Sequence, residues 1–101
     1  MTTRPTNVSI TMPPDQVTGV HADFVSAWHT QDVFVLDFAA VVGPGRPGEG
    51  PDGQPVTQID AQVIARVKLP PSQVFEIMKA LEQQLSAWES ETGRRSAAEE
   101  R

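Results

Sequence analysis

Val33-Phe34-Val35-Leu36-Asp37-Phe38-Ala39-Ala40-Val41-Val42 (VFVLDFAAVV) is the most apolar run of the chain, and its reading decides the fold. Read with a period of two, Phe34, Leu36, Phe38, Ala40 and Val42 share one face, and Val33, Val35, Asp37, Ala39 and Val41 share the other. A strand apolar on both sides belongs in the middle of a sheet and is covered on both sides. The run is too short to span a bilayer, and Asp37 interrupts it.

Upstream, Val20 to His29 alternates in the same way, with Phe24, Ser26 and Trp28 on one side and Val25, Ala27 and His29 on the other. Thr30-Gln31-Asp32 reads as the tight turn joining the two strands. Further back, Val8, Ile10 and Met12 alternate with polar residues until Pro13-Pro14 stops them, which predicts a short additional strand. Downstream, residues 43–57 begin with GPGRPGEGPDGQ, rich in glycine and proline and without apolar periodicity, and read as a mobile loop. Ile59 to Leu69 alternates again, with Ala61, Val63, Ala65, Val67 and Leu69 on one face and Gln62, Ile64, Arg66 and Lys68 on the other. Pro70-Pro71 ends that strand because proline has no N–H to give the ladder.

Pro71 suits the first turn of a helix, where the missing N–H is no loss. Val74, Ile77, Met78, Leu81, Leu85 and Trp88 then recur at spacings of three and four, one stripe of a helix that Gly93 closes. Glu76 and Lys79 stand at the i,i+3 spacing of a surface ion pair. At 1.5 Å per residue such a helix is about 33 Å long, which matches a ten-residue strand. The prediction is therefore a single α+β domain over residues 7–92. It is a three- to four-stranded antiparallel meander, with one long C-terminal amphipathic helix packed on the face of Phe34, Leu36 and Phe38. Residues 1–6 and the charged segment 93–101 are expected to be disordered.

The stretch from Ala22 to Trp88 resembles a small prokaryotic family, domain of unknown function 3467. The likeness rests on Trp28-His29-Thr30-Gln31-Asp32, then Phe34-Val35-Leu36-Asp37-Phe38, a Gly/Pro loop, Ala65-Arg66-Val67, and a proline-initiated helix carrying Met78-Lys79-Ala80-Leu81-Glu82. Two positions depart from the family pattern: Pro70 stands where a hydroxyl cap is usual, and Trp88 where a tyrosine is usual. The resemblance implies a bacterial α+β domain and no activity.

Composition narrows the function classes. Eight basic against 13 acidic residues give a net charge of −5, the wrong sign for a nucleic-acid or anionic-membrane binder. With no cysteine there is no disulfide, thiolate metal site or cysteine nucleophile. No basic segment followed by an apolar run opens the chain, so a cytoplasmic location is expected. His21 and His29 lie about 26 Å apart along a strand and cannot share a metal in one chain. Asp23, Ser26 and His29 fail as a hydrolytic triad, since an odd spacing sends Ser26 and His29 to opposite faces. The glycine-rich segment lacks the Lys-Ser/Thr ending and helix start of a phosphate cradle. No cofactor and no catalytic residue is expected.

Asp37 is different, because a carboxylate inside an apolar strand is costly unless it is paired. Arg66, on the polar side of the last strand, is the expected partner across the ladder. The face opposite the helix would then carry Val25, Ala27, Val33, Val35, Asp37, Ala39, Val41, Ile64 and Arg66, an apolar patch larger than a monomer usually leaves wet. The expectation is a non-enzymatic interaction domain that self-associates through that face, most simply as a homodimer. The alternative is a chaperone or adaptor holding an extended client polypeptide. A small enzyme or ligand-binding domain built on Asp37 and Arg66 comes third.

Overall fold

A computed structural model of the chain describes residues 4–95. Three strands form the main sheet: β1 (Phe24–His29), β2 (Phe34–Val41) and β5 (Ala61–Leu69), antiparallel in the order β1-β2-β5. The apolar run is thus the central strand, as its two-sided pattern requires. The β1–β2 turn is held by Thr30, whose N–H donates to the Val33 carbonyl (2.9 Å) while its hydroxyl accepts from the Asp32 and Val33 amides.

Residues 43–57, expected as a mobile loop, instead contribute a separate hairpin of β3 (Arg46–Glu49) and β4 (Pro55–Gln58). The turn chemistry explains the difference. Pro51 and Asp52 precede Gly53 at φ +78°, the Gly53 amide donates to the Gly50 carbonyl, and the Asp52 carboxylate accepts from the Gln54 amide. Gly45 permits the close approach, since a Cβ there would fall 2.7 Å from Cγ2 of Thr57. Arg46 is tied to Asp60 at 2.7 Å. The meander is therefore interrupted between β2 and β5 by a hairpin of its own.

The strand expected at Val8–Met12 does not form. These residues lie outside any ladder, and Val8, Ile10 and Met12 are exposed. Alternation without a neighbouring strand supplies no hydrogen-bond partner, so the pattern alone does not make a strand. A single 3-10 turn, Pro14–Gln16, follows. The expected disorder at 1–6 and 93–101 falls partly outside the described residues.

Helix α1 runs from Pro71 to Thr92 and ends at Gly93, in the left-handed region at φ +69° with its N–H on the Glu89 carbonyl. Lys79 and Glu76 pair at 3.2 Å. Gly93→Ala is expected to cost about 1 kcal/mol, because only glycine adopts that conformation without a Cβ penalty. Urea unfolding followed by helical circular dichroism checks it, and an unchanged midpoint would show that the helix end does not limit stability.

The helix does not lie on the sheet. Among the described residues the substantial packing is β1 on β2, β2 on β5 and β3 on β4, with no strand running along α1. Val74 and Ile77 near the helix start are half-buried, whereas Met78, Leu81, Leu85 and Trp88 are exposed. The radius of gyration is 19.0 Å, against about 13 Å for a compact chain of this length. The backbone at the junction gives the reason. Leu69 and Pro70 each precede a proline and are barred from helical conformation, and Pro70 is extended at φ −68°, ψ 149°. One rigid extended residue separates β5 from α1, too little chain to reverse direction.

Candidate functional site

Pairing across the ladder assigns each side chain to a face, because directly opposite residues point the same way. Asp37 is opposite Ser26 on β1 and Arg66 on β5, and Val35 is opposite Trp28 and Lys68. Phe24, Ser26 and Trp28 therefore share the face of Val35 and Asp37. Val25 is opposite Phe38 and Ala27 opposite Leu36, so both lie on the other face. Their expected place beside Val35 was off by one register position: the turn length decides that offset, and a shift of one residue exchanges the faces.

Strand β5 holds a second parity change. The register slips between Phe38 opposite Ala65 and Ala39 opposite Val63, leaving Ile64 as a bulge. Before the bulge Ala61 and Val63 take the Asp37 face, and beyond it Arg66 and Lys68 do, while Ala65, Val67 and Leu69 join Phe34, Leu36 and Phe38. Of the residues expected to form one surface, Val35, Asp37, Ala39, Val41 and Arg66 share a face. Val33 immediately precedes β2 and is half-buried, and Ile64 occupies the bulge.

The expected Asp37–Arg66 pair forms, and as a two-pronged fork. Nε of Arg66 donates to Oδ1 of Asp37 at 2.6 Å and Nη2 donates to Oδ2 at 3.0 Å. Trp28 completes it, its indole N–H donating to Oδ2 at 3.1 Å while the guanidinium lies 5.4 Å over the indole ring. A planar guanidinium can do both at once, which lysine could not. Sequence reading found the pair because an apolar strand demands a partner for its carboxylate. It missed Trp28, whose face depends on the hairpin register.

Arg66, foremost, and then the Trp28 N–H hold the Asp37 carboxyl below the usual carboxylate range, against the opposing effect of burial. A carboxyl with a lower folded than unfolded pKa stabilises the fold above its unfolded value of about 3.9. That contribution is lost as pH falls through the folded value. The urea midpoint, followed by tryptophan fluorescence, is thus expected to hold steady down to about pH 5 and to drop below pH 4. Asp37→Asn should lower the neutral-pH midpoint and flatten the acid limb, and an acid limb as steep as before would place its origin elsewhere.

Asp23 does a related job at the sheet's edge. Its carboxylate accepts from the Val41 amide at 2.8 Å and meets His21 at 2.9 Å, and these contacts, the amide first, lower its pKa. Of the residues tested as a triad, Ser26 points to the Asp37 face, and His29 stacks on Phe34 on the other face with centroids 5.3 Å apart. Among the described residues no group of three or more His, Asp or Glu could hold a metal ion, and no helix is long and apolar enough to cross a membrane.

The family model for a protein of unknown function, DUF3467, matches residues 1–94. The chain belongs to this family. No curated protein and no solved structure matches it. Within DUF3467 as this member displays it, the centre of the Asp37 face is covered by side chains of its own chain, Val35 being 1% exposed and Asp37 8%, while Phe24 (53%) and Val63 (53%) at its margins stay exposed. The face of Phe34, Leu36, Phe38, Val25, Val67 and Leu69, for which a helical cover was expected, is not overlain along its length by its own helix, and Phe34, Leu36, Phe38 and Leu69 are half-buried there. Val25 is 57% exposed and Val67 40%.

Proposed function

We propose that this chain is a non-catalytic interaction domain that self-associates, most simply as a homodimer, through apolar surface that one copy leaves uncovered. One observation carries the reading. The chain exposes 9188 Å², whereas a folded monomer of 11.0 kDa exposes about 5,600 Å². Part of the excess, roughly 3,600 Å², belongs to the exposed segment before β1, and part to apolar residues of the sheet and helix such as Val25, Val67, Met78, Leu81 and Leu85, against the about 800 Å² that each partner contributes to a standard interface. Among the described residues Val35 is the lone buried hydrophobic side chain. A domain so short of interior gains it by association.

The surface differs from the one that sequence patterning favours. Val35 and Asp37 are already covered, so the contact shifts to the Phe34–Leu36–Phe38 face and the helix stripe. The enzyme reading loses ground because both oxygens of Asp37 are engaged by Arg66 and Trp28, which leaves the carboxylate poorly placed to act as a base.

Light scattering across a dilution series tests the proposal. The expected mass is twice the 11.0 kDa of one chain, with a melting temperature that rises with protein concentration. A monomer at all concentrations overturns self-association. If that monomer gains mass only with an added unfolded polypeptide, the same apolar face serves an extended client.

A further inference from the structure

We propose that two copies exchange helices, α1 of each lying across the Phe34–Leu36–Phe38 face of the other's sheet. The inference rests on the self-association reading and specifies its geometry.

Three observations converge on this arrangement. The first is complementarity within one sequence. The chain carries an apolar sheet face without a helix and an apolar helix stripe without a sheet, the stripe running Val74, Ile77, Met78, Leu81, Leu85 and Trp88. The second is length. The 22 residues of α1 span about 33 Å, and the nine of β5 span about 30 Å, so the stripe can follow the face from end to end. The third is the junction. With Pro70 as sole connector, extended and flanked by Pro71, the helix cannot turn back onto its own sheet. A short stiff hinge that forbids the intramolecular contact is the condition under which an element docks on a second copy.

The exchange is two-fold and closed. Each copy gives one helix and receives one, so both stripes and both Phe34–Leu36–Phe38 faces are covered and the exchange closes at two chains. Pairing of α1 with α1 would also suit the 4-3-4-3 spacing of Val74, Met78, Leu81, Leu85 and Trp88, but it would leave both sheet faces open. Face-to-face packing of the sheets would leave both helices open. Helix exchange covers all of these surfaces in one step.

Lengthening the hinge tests the geometry. Six Gly/Ser residues inserted between Pro70 and Pro71 span about 13 Å on average, enough to carry the helix over its own sheet. The inserted chain is expected to fold as a monomer, its scattering mass halved relative to the wild-type dimer and its helical circular dichroism retained. A wild-type monomer would overturn self-association itself. A wild-type dimer that stays dimeric after the insertion would leave self-association standing and overturn the exchange, in favour of helix pairing or sheet stacking.

Because the chain lacks cysteine, a second measurement is available should the insertion fail to fold. Val67→Cys and Leu81→Cys, placed in separate chains, refolded together and treated with a bismaleimide, are expected to give a covalent heterodimer. With both substitutions in one chain, diluted among unlabelled wild-type chains, crosslinking within the chain should be negligible. Crosslinking confined within single chains would overturn the proposal.

Discussion

Leu81→Asp is expected to weaken the association of two chains by at least about a thousandfold. In a lone copy the substitution should be almost silent. Leu81 is 63% exposed there, on the middle of the helix stripe, so only the difference in helix propensity remains, about 0.5 kcal/mol. In the assembly the side chain is covered. Removing a buried leucine forfeits about 2–3 kcal/mol, and symmetry doubles the loss. The new carboxylate must also remain in water, which holds the stripe off the opposing face. Gln83→Asp, on the opposite side of the helix, is the matched control and should leave the mass unchanged. Sedimentation of the two variants beside the wild type decides the matter. A Leu81→Asp protein that keeps the wild-type mass would mean that the helix stripe takes no part in the contact. Helical circular dichroism should fall with the mass, because most of the stability of a helix in a protein comes from packing its apolar face.

Val35→Asp tests the interior of the single copy and should fail differently. Val35 is 1% exposed, the second residue of the central strand, opposite Trp28 and Lys68. Truncation to alanine is expected to cost about 2 kcal/mol, and a carboxylate about 4 kcal/mol or more. Asp37 lies two residues along the same face and adds like-charge repulsion. Its guanidinium partner is already committed to Asp37, and Lys68 would have to give up water to reach the site. Val35→Asp should therefore abolish the cooperative tryptophan fluorescence transition, because Trp28 stands opposite the substituted position. Leu81→Asp should spare much of that signal while removing the dimer. Equal loss of sheet signal in both variants would indicate that the sheet cannot form until the chains meet.

These contrasts follow from which parts of the molecule are local. The helix was legible in detail. Pro71 at its start, Gly93 at its end and the three–four spacing between them each act within a turn or two, and the observed span is Pro71–Thr92. The central strand was legible because its pattern is apolar on both sides. The Asp37–Arg66 contact was legible because burying a lone carboxylate is costly enough to force a partner. The β3–β4 hairpin was also written in the chain, in Pro51-Asp52-Gly53, but the surrounding glycine and proline hid it.

Alternation along one strand says which residues go together, never which of two faces they take. Sequence by itself thus determined the helix, the strands of the main sheet and the Asp37–Arg66 ion pair, since each depends on neighbours in the chain or on one unavoidable cost. Tertiary structure alone decided that Val25 and Ala27 lie away from Val35, because the Gln31–Asp32 turn sets the offset between strands. It alone decided that the bulge at Ile64 exchanges the faces of β5. It also decided that α1 leaves its sheet, because two consecutive prolines hold the only connecting residue extended. An amphipathic stripe specifies that a helix must be covered, and the direction of the chain at Pro70 determines that its own sheet does not cover it.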